Sequence, residues 1–175
     1  RCFWLVQNRV WKRPSSIFPS LPSGMDKILK EHFDNFMRIG MMPPEISKNA
    51  ECQNLRLFNN EKLLSMWRNN YKGIEFKDLK GNVLRGAVDN ILVNKENDKL
   101  IVLDFKTKGF PLKGECHRTY QVQMNIYNFL LRKNKYPTED FAYLLFYVPK
   151  KVCETGEVIF DTTLRRVKVD MWKAE

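Results

Sequence analysis

No apolar run in the sequence approaches the length of a membrane-spanning helix, which excludes a helical span. No signal peptide is visible, so the expected setting is cytoplasmic. The chain begins at Arg1 rather than methionine, which leaves a trimmed end open. Its four cysteines, Cys2, Cys52, Cys116 and Cys153, are widely separated and form no Cys-x-x-Cys pair. That argues against a zinc ribbon and for free thiols. Neither Gly-x-Gly-x-x-Gly nor a P-loop is present, so an α/β protein holding a small phosphorylated ligand has no support. Internal repeats and low-complexity segments are also missing. Acidic residues are in deficit, 20 against 30 basic, for a net charge of +10.

That charge favours a polyanionic partner. The basic residues recur along the whole chain, at Lys12 and Arg13, Lys77 and Lys80, Lys106 and Lys108, Arg132 to Lys135, Lys150 and Lys151, and Arg165 to Lys168. This suits a broad phosphate-facing surface better than a basic tail. Hydrophobic residues make up 43% and aromatics 13% of 175 residues, enough for one globular domain with a real core. We read residues 1–175 as a single domain, with an irregular N-terminal segment over 1–23 and the core over 24–175. Trp4, Trp11, Tyr71 and Phe110 suit either stacking on unpaired bases or burial.

Helical spacing runs from Met25 to Arg38 through Ile28, Leu29, Phe33, Phe36 and Met37, with Ser23 as N-cap and Gly40 as terminator ahead of Pro43-Pro44. A short helix is expected over 61–68. From Gly73 the pattern turns to strands. Asp78 to Asn82 reads as a hairpin turn, and Val83 to Val93 as one long strand. Gly86 within it marks a bulge or a close approach. Lys99 to Thr107 is the next strand, followed by a loop over 108–114 and a helix from Cys116 to Lys133. Phe141 to Val148 and Val158 to Val169 are the last strands, joined through Pro149 to Gly156. The order predicts an α/β fold with a mixed central sheet flanked by helices.

The chemistry concentrates in three segments. Gly86-Ala87-Val88-Asp89 is followed after fourteen residues by Asp104-Phe105-Lys106-Thr107, and Gln123-Met124-Asn125-Ile126-Tyr127 lies in the next helix. Strand alternation points Asp104 and Lys106 to one face and Phe105 to the other. The apolar run Leu100 to Leu103 leads into Asp104 as a buried central strand would, and a carboxylate there is costly unless paired or bound to a metal. Paired carboxylates hold a hard divalent cation, and a lysine beside them steadies an anionic transition state. Gln123 and Tyr127, four apart, share a helix face. The bland alternatives are a solvated strand face for Asp104 and Lys106, and a core position for Tyr127.

The ordered triple Gly-x-x-Asp, Asp-x-Lys-Thr, Gln-x-x-x-Tyr resembles the PD-(D/E)XK nuclease superfamily, in particular its RecB-type branch. It spans about residues 74 to 131. The resemblance implies a restriction-endonuclease-like αβββαβ core. It implies Asp89 and Asp104 as carboxylate ligands of Mg²⁺ or Mn²⁺, the Phe105 carbonyl as a further ligand, and Lys106 as the catalytic lysine. Gln123 and Tyr127 are then the helix-borne site residues. His32 is the candidate for the extra histidine ligand that the branch often carries on its first helix, with Glu31 as its alternative. Thr107, Lys108 and Arg118 are expected to contact nucleic acid, with Gly86 close to phosphate. Some members bind an iron–sulfur cluster through one early and several late cysteines; Cys2 matches the first, but the late group is missing, so no cluster is expected. His117 has no assigned role.

The leading expectation is a divalent-metal-dependent nuclease hydrolysing DNA phosphodiester bonds, an exonuclease or a repair or defence nuclease. Protein partners or extra domains would select its substrate. The alternative is a catalytically silent nucleic-acid-binding module of a larger assembly.

Overall fold

The computed structural model describes residues 8–12, 20–112, 114 and 120–170. Helix α1, Ser20–Arg38, buries Leu29, Phe33 and Met37, a single stripe at four-residue spacing. It starts earlier than expected. Residues 20–23, read as part of an irregular connection, are helical, and Ser23 lies inside the helix instead of capping it. Its end follows the sequence. Gly40 takes φ +69°, its N–H donates to the Met37 carbonyl at 3.1 Å, and the Met41 N–H donates to the Phe36 carbonyl at 3.0 Å. This pair of bonds is a Schellman closure, which glycine makes without strain. A single turn, α2 (Pro44–Ser47), follows Pro43 and begins with Pro44 at its first position. Helix α3 (Glu61–Arg68) is capped by Asn60, whose side chain accepts the Leu63 N–H.

The central sheet has five strands in the order β1 (Leu55–Leu57), β4 (Asn90–Asn94), β5 (Leu100–Thr107), β6 (Phe141–Val152) and β7 (Val158–Lys168). Only β5 and β6 run parallel; the other pairs are antiparallel. The parallel pair is joined through helix α4 (Gln121–Lys133), as such a crossover requires. Residues 100–105 of β5 are buried without a break. α1 covers one face, where Phe33 packs on Phe105 with ring centroids 4.7 Å apart, and α4 covers the other, where Gln123 meets Lys106. The expected α/β fold, a mixed sheet flanked by helices of the restriction-endonuclease-like kind, is therefore observed. Among the described residues no helix is long and apolar enough to cross a membrane.

Two further local expectations are corrected, and one strand was not expected. The long strand over 83–93 is two strands in different sheets. β3 (Val83–Gly86) pairs only with β2 (Ile74–Lys77), in a separate two-stranded ribbon, while β4 begins at Asn90. Gly86 explains the break. A Cβ there would lie 2.9 Å from the Tyr127 ring and 2.9 Å from Leu130 Cδ1, so α4 packs directly on this backbone. The chain then leaves the ribbon, and the Val88 N–H bonds to the Trp67 carbonyl at 3.2 Å instead of a ladder partner. β6 continues past Pro149 to Val152, with its register to β7 shifting between Pro149 and Lys151, which is where a strand proline is tolerated. The edge strand β1, three residues long, carried too short a pattern to be read from the sequence.

Candidate active site

β5 delivers Asp104 and Lys106 to the face covered by α4. The Asp104 side chain is 3% exposed, and the Lys106 ammonium is ion-paired with its Oδ2. That oxygen makes no hydrogen bond of good geometry with any described residue. Burial first, and the neighbouring Asp89 charge second, push the Asp104 carboxyl up to about 7 against the lowering influence of Lys106 and Lys30. A buried carboxylate held so close to neutrality is a local cost of the fold, of a kind that clusters at functional sites.

Asp89 arrives from the link between β3 and β4. Its Oδ2 accepts the Phe105 N–H at 2.8 Å, and its Oδ1 lies 3.3 Å from Lys30 Nζ. Lys30 also binds Asp26, one turn earlier on α1, at 2.8 Å. The Asp89 carbonyl accepts from Arg68 Nε at 2.7 Å. The Phe105 backbone is oriented toward the same place. The Lys108 N–H donates to Tyr147 on β6 at 2.9 Å, so even-numbered residues at this end of β5 direct their backbone groups to β6. A strand residue directs its N–H and C=O to one side, so Phe105 turns both toward Asp89. Two carboxylates and this carbonyl are hard oxygen donors that could hold a divalent cation such as Mg²⁺ or Mn²⁺.

From Lys106 a polar chain runs onto α4. Lys106 Nζ donates to Gln123 Oε1 at 3.1 Å, and Gln123 Nε2 donates to the Tyr127 hydroxyl at 2.8 Å. The four-residue spacing makes the second bond possible. Burial pushes the Tyr127 phenol up to about 12, so it remains neutral at ordinary pH. Lys106 also stands over the Tyr120 ring, 4.8 Å from its centroid, and Lys108 does the same at 5.4 Å. Thr107 is exposed at the end of β5. A groove of about 590 Å³, bordered by Asn70, Arg85, Gly86 and Gln123, opens beside this chain.

Asp89, Asp104, Phe105, Lys106, Gln123 and Tyr127 are thus linked, each bonded or ion-paired to another of the group or electrostatically coupled to it. His32 is not drawn in by any such contact. Its Nε2 pairs with Glu45 at 3.0 Å, Glu45 accepts from the Tyr147 hydroxyl at 3.3 Å, and its ring sits edge-on to Phe36. Among the described residues, no three of His, Cys, Asp and Glu gather to hold a cation. Arg118 and His117, and with them Cys2, Cys116 and Trp4, lie outside the described residues. Trp11, Tyr71 and Phe110 are exposed. Sequence reasoning missed Lys30, Arg68 and Tyr120. All three act across long separations, and nothing in their immediate neighbours marks them.

A family model described as the PD-(D/E)XK nuclease superfamily matches residues 23–173. No curated protein and no solved structure matches the chain.

Proposed function

Because the chain belongs to the PD-(D/E)XK nuclease superfamily, we propose that it is a divalent-metal-dependent nuclease of the RecB-type branch, hydrolysing DNA phosphodiester bonds from a single nuclease domain. The observation that carries this reading is the buried Asp104, raised to about 7, beside Asp89 and ion-paired with Lys106. Such a carboxylate is destabilising without a cation and useful with one.

In this reading Asp89, Asp104 and the Phe105 carbonyl hold Mg²⁺ or Mn²⁺. The bound cation would polarise the scissile phosphate and lower the pKa of an attacking water. Lys106 places its ammonium where negative charge grows on the phosphate, and its bond to Gln123 keeps it there. Tyr127, neutral, orients the Gln123 amide. Thr107, at the end of β5, and Lys108, just after it, approach the phosphodiester backbone, and Arg118 adds to that surface. The +10 charge supplies the sequence-independent attraction. His32 remains a candidate ligand only if it exchanges Glu45 for the cation. DNA rather than RNA and a role as exonuclease or as repair or defence nuclease rest on the resemblance to the RecB-type branch, a cytoplasmic setting rests on the widely separated thiols, and substrate selection by partners or further domains rests on the small size of the core.

The test uses linear and circular, single- and double-stranded DNA with Mg²⁺, Mn²⁺ or EDTA. Metal-dependent loss of DNA by the parent and none by Lys106→Ala is the expected result. DNA binding without cleavage in either metal would instead identify a silent binding module.

A further inference from the structure

Arg68 ends α3, and its side chain reaches the segment that carries Asp89. Nε donates to the Asp89 carbonyl at 2.7 Å, while Nη1 donates to both carboxylate oxygens of Asp34 on α1 at 2.8 Å each. The two side chains are 11% and 19% exposed, so this is not a solvated surface pair. The residue before it, Trp67, accepts the Val88 N–H through its carbonyl at 3.2 Å. The end of α3 therefore grips the Val88–Asp89 backbone on both sides, at a point where the chain has left β3 and not yet joined β4.

We propose that Arg68 is the positioning residue for Asp89: it sets where that carboxylate stands and thereby the affinity of the site for a divalent cation, without touching the reacting atoms. The inference rests on the metal-site reading above. Asp89 needs such a device. Among the described residues its carboxylate has one backbone donor, the Phe105 N–H, and its own main chain has no ladder partner. A displacement of the peptide moves the carboxylate directly, and ligand sets respond steeply to their supporting bonds. Arginine suits the task because its planar fork spans two partners at fixed angles. A lysine has no second arm, so it cannot hold Asp34 and the Asp89 carbonyl in the same geometry. Asp34 holds the fork from α1, which makes the position of Asp89 depend on two helices. Because Asp34 balances the guanidinium charge, the influence on Asp89 is geometric more than electrostatic.

The experiment measures Mn²⁺ binding to the full chain by titration calorimetry, for the parent, Arg68→Lys, Asp34→Asn and Asp89→Asn, alongside DNA cleavage against Mn²⁺ concentration and circular dichroism. Arg68→Lys is expected to bind Mn²⁺ about tenfold or more weakly, the range for lost supporting contacts, with the cleavage rate at saturating Mn²⁺ largely retained. A merely structural role would lower thermal stability and leave affinity and the half-saturating Mn²⁺ concentration unchanged; that result would overturn the inference. If Arg68→Lys does not fold, Asp34→Asn decides. It keeps the Nε bond while loosening the fork, and weaker Mn²⁺ binding supports the inference while parental binding sinks it. Absence of Mn²⁺ binding by the parent, or parental binding by Asp89→Asn, would instead remove the metal-site reading itself.

Discussion

The Phe105 N–H donates to Asp89 Oδ2 at 2.8 Å, so the backbone of one acidic segment holds the side chain of the other. This bond joins the end of β5 to the link before β4. The Phe105 side chain meanwhile packs on Phe33 across the opposite face. Its contribution to the site is thereby separated from its contribution to the core. Phe105→Leu, a hydrophobic swap, should cost about 1 kcal/mol of stability, and Phe105→Ala about 3–5 kcal/mol, with neither shifting the metal dependence of cleavage where the protein is folded. Denaturant melts paired with Mn²⁺ titrations of activity check this; a change in metal dependence for the leucine variant would contradict it.

Asp104 makes the metal-free protein pH-sensitive. Its folded carboxyl is raised to about 7 from an ordinary 3.8. With the folded value above the unfolded one, the contribution to stability is fully present below about 3.8 and is lost as pH rises through about 7. Melting in EDTA between pH 5 and 8 should show the parent losing stability relative to Asp104→Asn. Divalent-cation affinity should move the other way, rising with pH up to about 7 and levelling off above it, because the proton must leave before the cation binds. Parallel melting curves for parent and variant would contradict the assignment.

Gly86 is a packing requirement for the polar chain on α4. A methyl at this position meets Tyr127 and Leu130 at 2.9 Å. Gly86→Ala should cost about 1–3 kcal/mol through overpacking and displace Tyr127, which carries Gln123 and, through it, Lys106. Reduced cleavage at saturating metal, beyond what the fraction unfolded explains, is the expected readout. Full activity per folded molecule would show that Tyr127 yields without disturbing Gln123.

Lys30 places a positive charge 3.3 Å from Asp89 Oδ1. A cation entering the site competes with that ammonium. Lys30→Met, which keeps the length and removes the charge, should lower the half-saturating Mn²⁺ concentration by about tenfold, equivalent to about 1.4 kcal/mol. Calorimetric titration reads this directly, and weaker binding in the variant would show instead that Lys30 supports the ligand set.

Much of the arrangement around the candidate site was legible because its signals are local. Strand alternation places Asp104 and Lys106 on one face whatever the rest of the chain does, and helical spacing brings Gln123 to Tyr127. The unbroken apolar run into Asp104 announces a central strand, and residues 100–105 are buried as that requires. The stretch from Val83 to Val93 shows where this reasoning stops. Its residues have uniform strand character, yet the chain divides between two sheets after Gly86. The cause is α4 pressing on that glycine from more than thirty residues away, which no local pattern contains.

The sequence by itself therefore determined the α/β class, the order of the main elements and the chemical types gathered in the three motif segments, since period and composition act over a few residues. Tertiary structure alone decided which groups complete the site. It drew Lys30 and the Arg68–Asp34 pair to Asp89, brought Tyr120 under Lys106, and directed His32 to Glu45. The physical reason is that a charged side chain on a helix has the same local signature whether it faces water or a partner. Its role is set by what packing brings within hydrogen-bonding distance, and by how far burial strengthens the charge it meets there.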